Sequence, residues 1–243
     1  MKKILTAIVL NLFAVSTFAA HFGYDGDTAP EHWGDLDPSF ASCKMGKFQS
    51  PIDITDSIEV KTHKALNFNY PGNAETVVNN GHTIQVNFQK NDGVMRFENK
   101  DFRLVQIHFH TPSEYTFNGE HFPMVGHIVH QADDGQLLVV AVMFKEGQDN
   151  PVIADIWQNA PKKANQNKEI KKVAVQQLVS NFNAYYRLEG SLTTPPCTEG
   201  VMWIIGKEPI TASKKQMDTF TKIIGKNNRP VQKTNGRAVL MSQ

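Results

Sequence analysis

The 243-residue chain carries 40% hydrophobic and 20% charged residues and a formal net charge of +1, the composition of an ordinary globular protein large enough to bury a sizeable core. So small a charge, with no basic run interleaved with aromatics, excludes nucleic acid and acidic membrane as main partners.

In chain order, Lys2 and Lys3 precede an apolar stretch from Ile4 to Phe13, followed by small residues around Thr17 and Ala19. This is the layout of an export signal, too short and too interrupted by Asn11 to span a bilayer comfortably. The expectation is a signal peptide over 1–19, leaving 20–243 as one domain with no integral membrane segment, in the periplasm or secreted. Its removal takes two lysines from the +1 total and leaves −1. Export gives the two cysteines, Cys43 and Cys197, a meaning: an even pair in an oxidising compartment is expected to form one disulfide.

Residues 21–50 are rich in Gly, Asp, Pro and aromatics without periodicity, and read as an irregular arm on the surface. From Val77 to Lys145 the pattern is that of strands. Thr83 to Phe88 alternates polar and apolar, Phe102 to His110 is extended and apolar, and Asp134-Gly135 is a hairpin turn between His127–His130 and the apolar run Gln136–Phe144. Asn150-Pro151 starts a helix with Val152, Ile153, Ile156 and Trp157 on one face. Ser213 and Gln216 form a capping box for another, with the stripe Met217, Phe220, Ile223 and Ile224 and a stop at Gly225. The fold class is therefore mainly β, a sheet with short helices outside it.

His108 and His110 are two apart in an apolar strand, so both imidazoles project from one face. A single strand histidine is usually a hydrogen-bonded core residue; two on one face need a reason such as a shared metal. A third candidate, His127, lies on the next strand; His130, three residues on, faces the opposite way from it, so at most one of the two can join the pair. Three neutral imidazoles with an open fourth position suit a catalytic zinc. No G-x-S-x-G elbow, H-E-x-x-H or P-loop competes.

The motifs Pro30-Glu31-His32-Trp33, Gln49-Ser50-Pro51-Ile52-Asp53-Ile54, Asn79-Asn80-Gly81-His82, Gln106-Ile107-His108-Phe109-His110, Ser113-Glu114, His127-Ile128-Val129-His130, Gly190-Ser191-Leu192-Thr193-Thr194-Pro195-Pro196, Trp203 and Asn228-Arg229-Pro230 follow one another in this order. Together they resemble the α-class carbonic anhydrases of the exported bacterial type, from about Phe22 to the C-terminal region. The resemblance implies a large, mostly antiparallel central sheet with Zn2+ at the base of a conical cleft, held by His108, His110 and His127. It implies hydration of carbon dioxide to bicarbonate and a proton by zinc-bound hydroxide, with activated esters as a side substrate. Carbon dioxide, bicarbonate and water are the implied partners, and a homodimer is left open.

By the same resemblance, Thr193 is the gatekeeper between the hydroxide and Glu114, and His82 the proton shuttle. Tyr24 and Asn80 organise solvent, Val129, Val139, Leu192 and Trp203 wall the carbon dioxide pocket, and Thr194 lies at its mouth. Gln106 and the backbone near Asn227 accept from the free ring nitrogens of His108 and His110. Many relatives place a Glu two residues before the third ligand; Val125 stands there in this chain, leaving His127 without that acceptor. Two other readings are a binding module that has lost catalysis, against which all three histidines, Glu114 and Thr193 are present, and a structural metal site without exchangeable water.

Overall fold

The computed structural model describes residues 21–60 and 66–242; the expected signal peptide lies outside them. The apolar runs build a 13-stranded sheet among the described residues. Its central path runs through Ala74–Asn79, Ile84–Phe88, Lys100–His110, Met124–Gln131 and Leu137–Glu146, then Glu199–Gly206 and Tyr185–Ser191. Most neighbours are antiparallel, as expected of hairpins. The join between Leu137–Glu146 and Glu199–Gly206 is parallel: between them the chain passes through a helix and the edge strand Gln166–Glu169, then enters Glu199–Gly206 from its antiparallel neighbour Tyr185–Ser191.

Both predicted helices form where their caps stand. Asn150 accepts from the N–H groups of Val152 and Ile153 ahead of helix Pro151–Asn159. Ser213 and Gln216 close a capping box ahead of Lys214–Ile224, which ends at Gly225 with φ 86°. Val152, Ile153 and Ile156 of the first helix and Met217 and Phe220 of the second join one core with Ile107, Phe109, Ile128 and Val140 of the sheet. Trp157 stacks on Phe220 and donates to the Gln216 carbonyl. These contacts hold the two helices on one face of the sheet.

The opposite face carries a smaller core of Ile52, Tyr115, Val125, Val129, Val139, Ala141, Met143, Trp203 and Ile205. Residues 21–50 lie over the molecule as short helical turns rather than a featureless arm, pinned by fully buried Trp33, whose indole N–H donates to the carbonyls of Gly23 and Thr28. Cys43 of the turn Ser42–Met45 is disulfide-bonded to Cys197. No described helix is long and apolar enough to cross a membrane.

Candidate metal centre and cleft

Register does what spacing alone cannot. His127 pairs directly with His108, Val125 with His110 and Val129 with Gln106, so these side chains stand side by side on one face. One strand further out, Val139 pairs with Val129, and Trp203 pairs with Val139. The result is a patch of three imidazoles next to an apolar wall.

The three histidines offer ligand atoms lying within 4.8 Å of one another. His110 and His127 are each 1% exposed, and the Nε2 atoms of both are buried with no hydrogen-bond partner among the described residues. Leaving such an atom unpaired costs about 1–3 kcal/mol, and for His110, whose Nδ1 already faces the Asn227 carbonyl, coordination to a cation would remove that cost. The donor set fits as well. Burial, then the neighbouring His110, holds the pKa of His108 well below the usual imidazole value. Burial, His110 and His108 do the same to His127. Neutral rings keep the lone pairs that metal coordination needs.

Outer partners orient two of the three rings. His108 Nδ1 is 2.8 Å from Gln106 Oε1, and His110 Nδ1 is 2.7 Å from the Asn227 carbonyl. Each ring therefore donates from Nδ1 and leaves Nε2 free to take a metal ion. His127 has no such partner. Its Nε2 is buried without a hydrogen-bond partner, and its Nδ1 is 3.8 Å from Glu114 Oε2, beyond hydrogen-bond range. Val125, fully buried on the same strand face, has no acceptor to give.

Glu114 is completely buried beneath the ligands, 3.5 Å from His110 Nδ1, and its Oε1 accepts from the Arg229 backbone N–H at 2.9 Å. Burial pushes its carboxyl above the ordinary range, opposed by His110, by the Arg229 N–H, by the Thr193 hydroxyl and by the Arg229 guanidinium. Thr193 is thus close enough to favour the ionised carboxylate, although Glu114 Oε2 has no partner of regular hydrogen-bond geometry. Arg229 itself is anchored by Gln49, Ser50 and Cys43 oxygens at 2.8, 2.8 and 2.9 Å. The sequence reading assigned no role to that anchor.

A cleft of about 240 Å³ opens over His108 and His110, lined also by Phe22, Tyr24, Asn80, His82, Gln106 and Thr194. Burial and then His21 lower the pKa of His82. Val129, Val139 and Trp203 are buried in the apolar wall, and Leu192 packs against it. The Trp203 ring meets His127 edge-on, 4.9 Å between centroids. His130 stands apart on the other face: Tyr70 Oη is 2.6 Å from its Nε2 and the Leu138 carbonyl 3.1 Å from its Nδ1. Burial lowers its pKa to about 4, which suits a neutral structural residue.

Known proteins supply the context for this geometry. The family model described as eukaryotic-type carbonic anhydrase matches residues 28–243. Carbonic anhydrase from Pectobacterium carotovorum is 41% identical over 242 residues, 98% of each chain. That from Neisseria gonorrhoeae is 40% identical, covering 97% of this chain and 96% of the relative. Among solved structures, the α-carbonic anhydrase of Thermovibrio ammonificans, in complex with the inhibitor sulfanilamide, aligns with a TM-score of 0.88 at 44% identity. The alignment covers 91% of this chain and 99% of that one. With a matching family model over most of its length and close relatives over nearly all of it, the chain belongs to the eukaryotic-type, or alpha, carbonic anhydrase family.

Proposed function

We propose that the site performs the reversible hydration of carbon dioxide to bicarbonate and a proton, with Zn2+ held by His108, His110 and His127. The observation that carries this reading is the group of three imidazoles whose ligand atoms lie within 4.8 Å of one another beside an apolar wall. Bound Zn2+ supplies Lewis acidity that lets a coordinated water ionise near neutral pH, at about 7 in carbonic anhydrase itself.

The chain's own residues do the rest. Val129, Val139, Leu192 and Trp203 offer carbon dioxide a dry surface beside His127. A hydroxyl has one proton to give. If Thr193 gives its proton to ionised Glu114, it can only accept from the reacting oxygen, and so fixes which lone pair faces the substrate. The Arg229 N–H and guanidinium favour the ionised form of Glu114 that this requires. Thr194 lines the cleft, and His82 carries the proton away. The disulfide and the absence of a membrane-spanning helix among the described residues support a periplasmic or secreted location.

Titrating metal-free protein with zinc while following hydration tests the assignment. Activity should rise to saturation at one equivalent per chain; a protein that binds one equivalent without gaining activity would leave only a structural metal site.

The unpartnered third ligand makes a finer prediction. An outer acceptor fixes a ligand ring and raises its basicity, and losing one typically costs about 10- to 100-fold in metal affinity or activity, a magnitude drawn partly from carbonic anhydrase. Val125→Glu should return an acceptor to His127 and slow zinc transfer to a competing chelator by a factor in that range. The added carboxylate replaces a fully buried Val, so fold stability is expected to fall slightly even as zinc is held longer. Equal or faster zinc loss from the Glu variant would mean that Val125 leaves no vacancy.

A further inference from the structure

His82 stands in a partition between two cavities. With Phe22 and Tyr24 it lines the cleft that holds His108 and His110. The same three residues also line a second cavity of about 520 Å³, bordered by His21, Asp25 and Lys226. The backbone of His82 is fixed: its N–H donates to Asn80 Oδ1 at 2.9 Å, and its carbonyl accepts from Asn227 Nδ2 at 2.9 Å. Its ring lies flat on Phe22, 4.1 Å between centroids and 11° between planes, with the Tyr24 ring 6.5 Å away. The exposed ring of His21 is 5.5 Å from it, on the side of the second cavity.

Resting on the reading of His82 as the proton shuttle, we propose that His21 is the next proton acceptor, so that protons leave through the second cavity in two steps, His82 to His21 to buffer. A ring separation of 5.5 Å is one that a direct contact or a single hydrogen-bonded water spans. The proposed metal ligands apart, His82 is the one described residue lining the cleft with an imidazole to take up a proton, while burial and Glu114 hold the Tyr24 hydroxyl far above the ordinary tyrosine range. In each turnover His82 gains the proton released in the cleft and loses one to His21, returning neutral; His21 gives it to solvent buffer and is likewise reset. Like charge on the two rings disfavours holding two protons at once, so His21 releases its proton before the pair takes up another. Phe22, stacked on one ring and placed beside the other by sequence, keeps the pair from drifting.

The test uses the zinc-loaded mature enzyme as wild type, His21→Ala, His82→Ala and the double variant, assayed by stopped flow in weak and in strong imidazole buffer. His21→Ala should lower kcat several-fold in weak buffer, keep kcat/KM for carbon dioxide, and recover in strong imidazole. It should add nothing in the His82→Ala background, because the relay is already cut. A change confined to kcat and erased by buffer is not what general loosening of the arm produces. Wild-type kcat for His21→Ala in weak buffer, with His82→Ala slow, would overturn the relay while leaving the shuttle intact. An equal further loss in the double variant would overturn it too, as His21 would then act apart from His82. If His82→Ala itself runs at the wild-type rate, the shuttle reading fails, and the relay with it.

Discussion

His110→Ala should strip the protein of most of its zinc and abolish carbon dioxide hydration while leaving the sheet intact. His110 ends the strand Lys100–His110, whose ladder is built from backbone groups that the substitution does not touch. What disappears is one of three ligands and the donor to the Asn227 carbonyl. Two imidazoles hold zinc weakly and in no fixed geometry. The structural cost is a buried carbonyl without its donor and a small void, about 1–3 kcal/mol, well short of unfolding a domain of this size. Metal analysis, stopped-flow hydration and a circular-dichroism melt on the same sample check all three parts. A variant with full zinc and full activity would remove His110 from the ligand set.

Reducing the Cys43–Cys197 bridge should lower the denaturation midpoint markedly and weaken the loop that carries Thr193. The bridge closes a sequence separation of 154 residues. In the chain-entropy account a loop that long contributes roughly 5 kcal/mol at most, and native disulfides typically contribute about 2–4 kcal/mol. Its local setting explains the second effect. Cys197 is fully buried with φ 56°, its N–H donates to the Thr194 carbonyl at 2.9 Å, and its carbonyl accepts from Gln49. On the other side, the Cys43 carbonyl accepts from Arg229, whose own backbone holds Glu114. The bridge therefore ties together the two supports of the Thr193–Glu114 pair. Denaturation with and without reductant, beside a Cys43→Ser, Cys197→Ser double variant, measures the loss. Two free thiols titrating in the native oxidised protein would contradict the bridge.

How much of this was legible in the residues depends on the range of the interaction. The helix at Pro151 and the one at Lys214 could be read from the chain because their caps, Asn150 and the Ser213/Gln216 box, act over three residues. His108 and His110 were readable for the same reason: two residues apart on a strand is a local rule. For the third ligand the strand pattern offered His127 or His130, and the resemblance chose His127, because its place opposite His108 is set by strand register. The strands Tyr185–Ser191 and Glu199–Gly206 were missed. Gly190 and the polar residues Arg187 and Glu189 blur the alternation of the first, and the parallel pairing of the second depends on a strand some sixty positions earlier. The turns of residues 21–50 have no periodicity of their own and are held by Trp33 and by distant contacts. Val125 showed in the sequence that an acceptor was missing. The unpartnered Nε2 of His127 and the meeting of Phe22 with His82 required the fold.

The central claim, that this chain hydrates carbon dioxide through a metal held by three histidines, is most directly tested by stopped-flow hydration on the purified mature protein before and after treatment with a zinc chelator, with the metal content measured on the same samples. The account predicts about one zinc per chain and hydration that falls in step with zinc removal and returns when zinc is restored. Hydration that persists after complete metal removal, or none from the zinc-loaded protein, would contradict it.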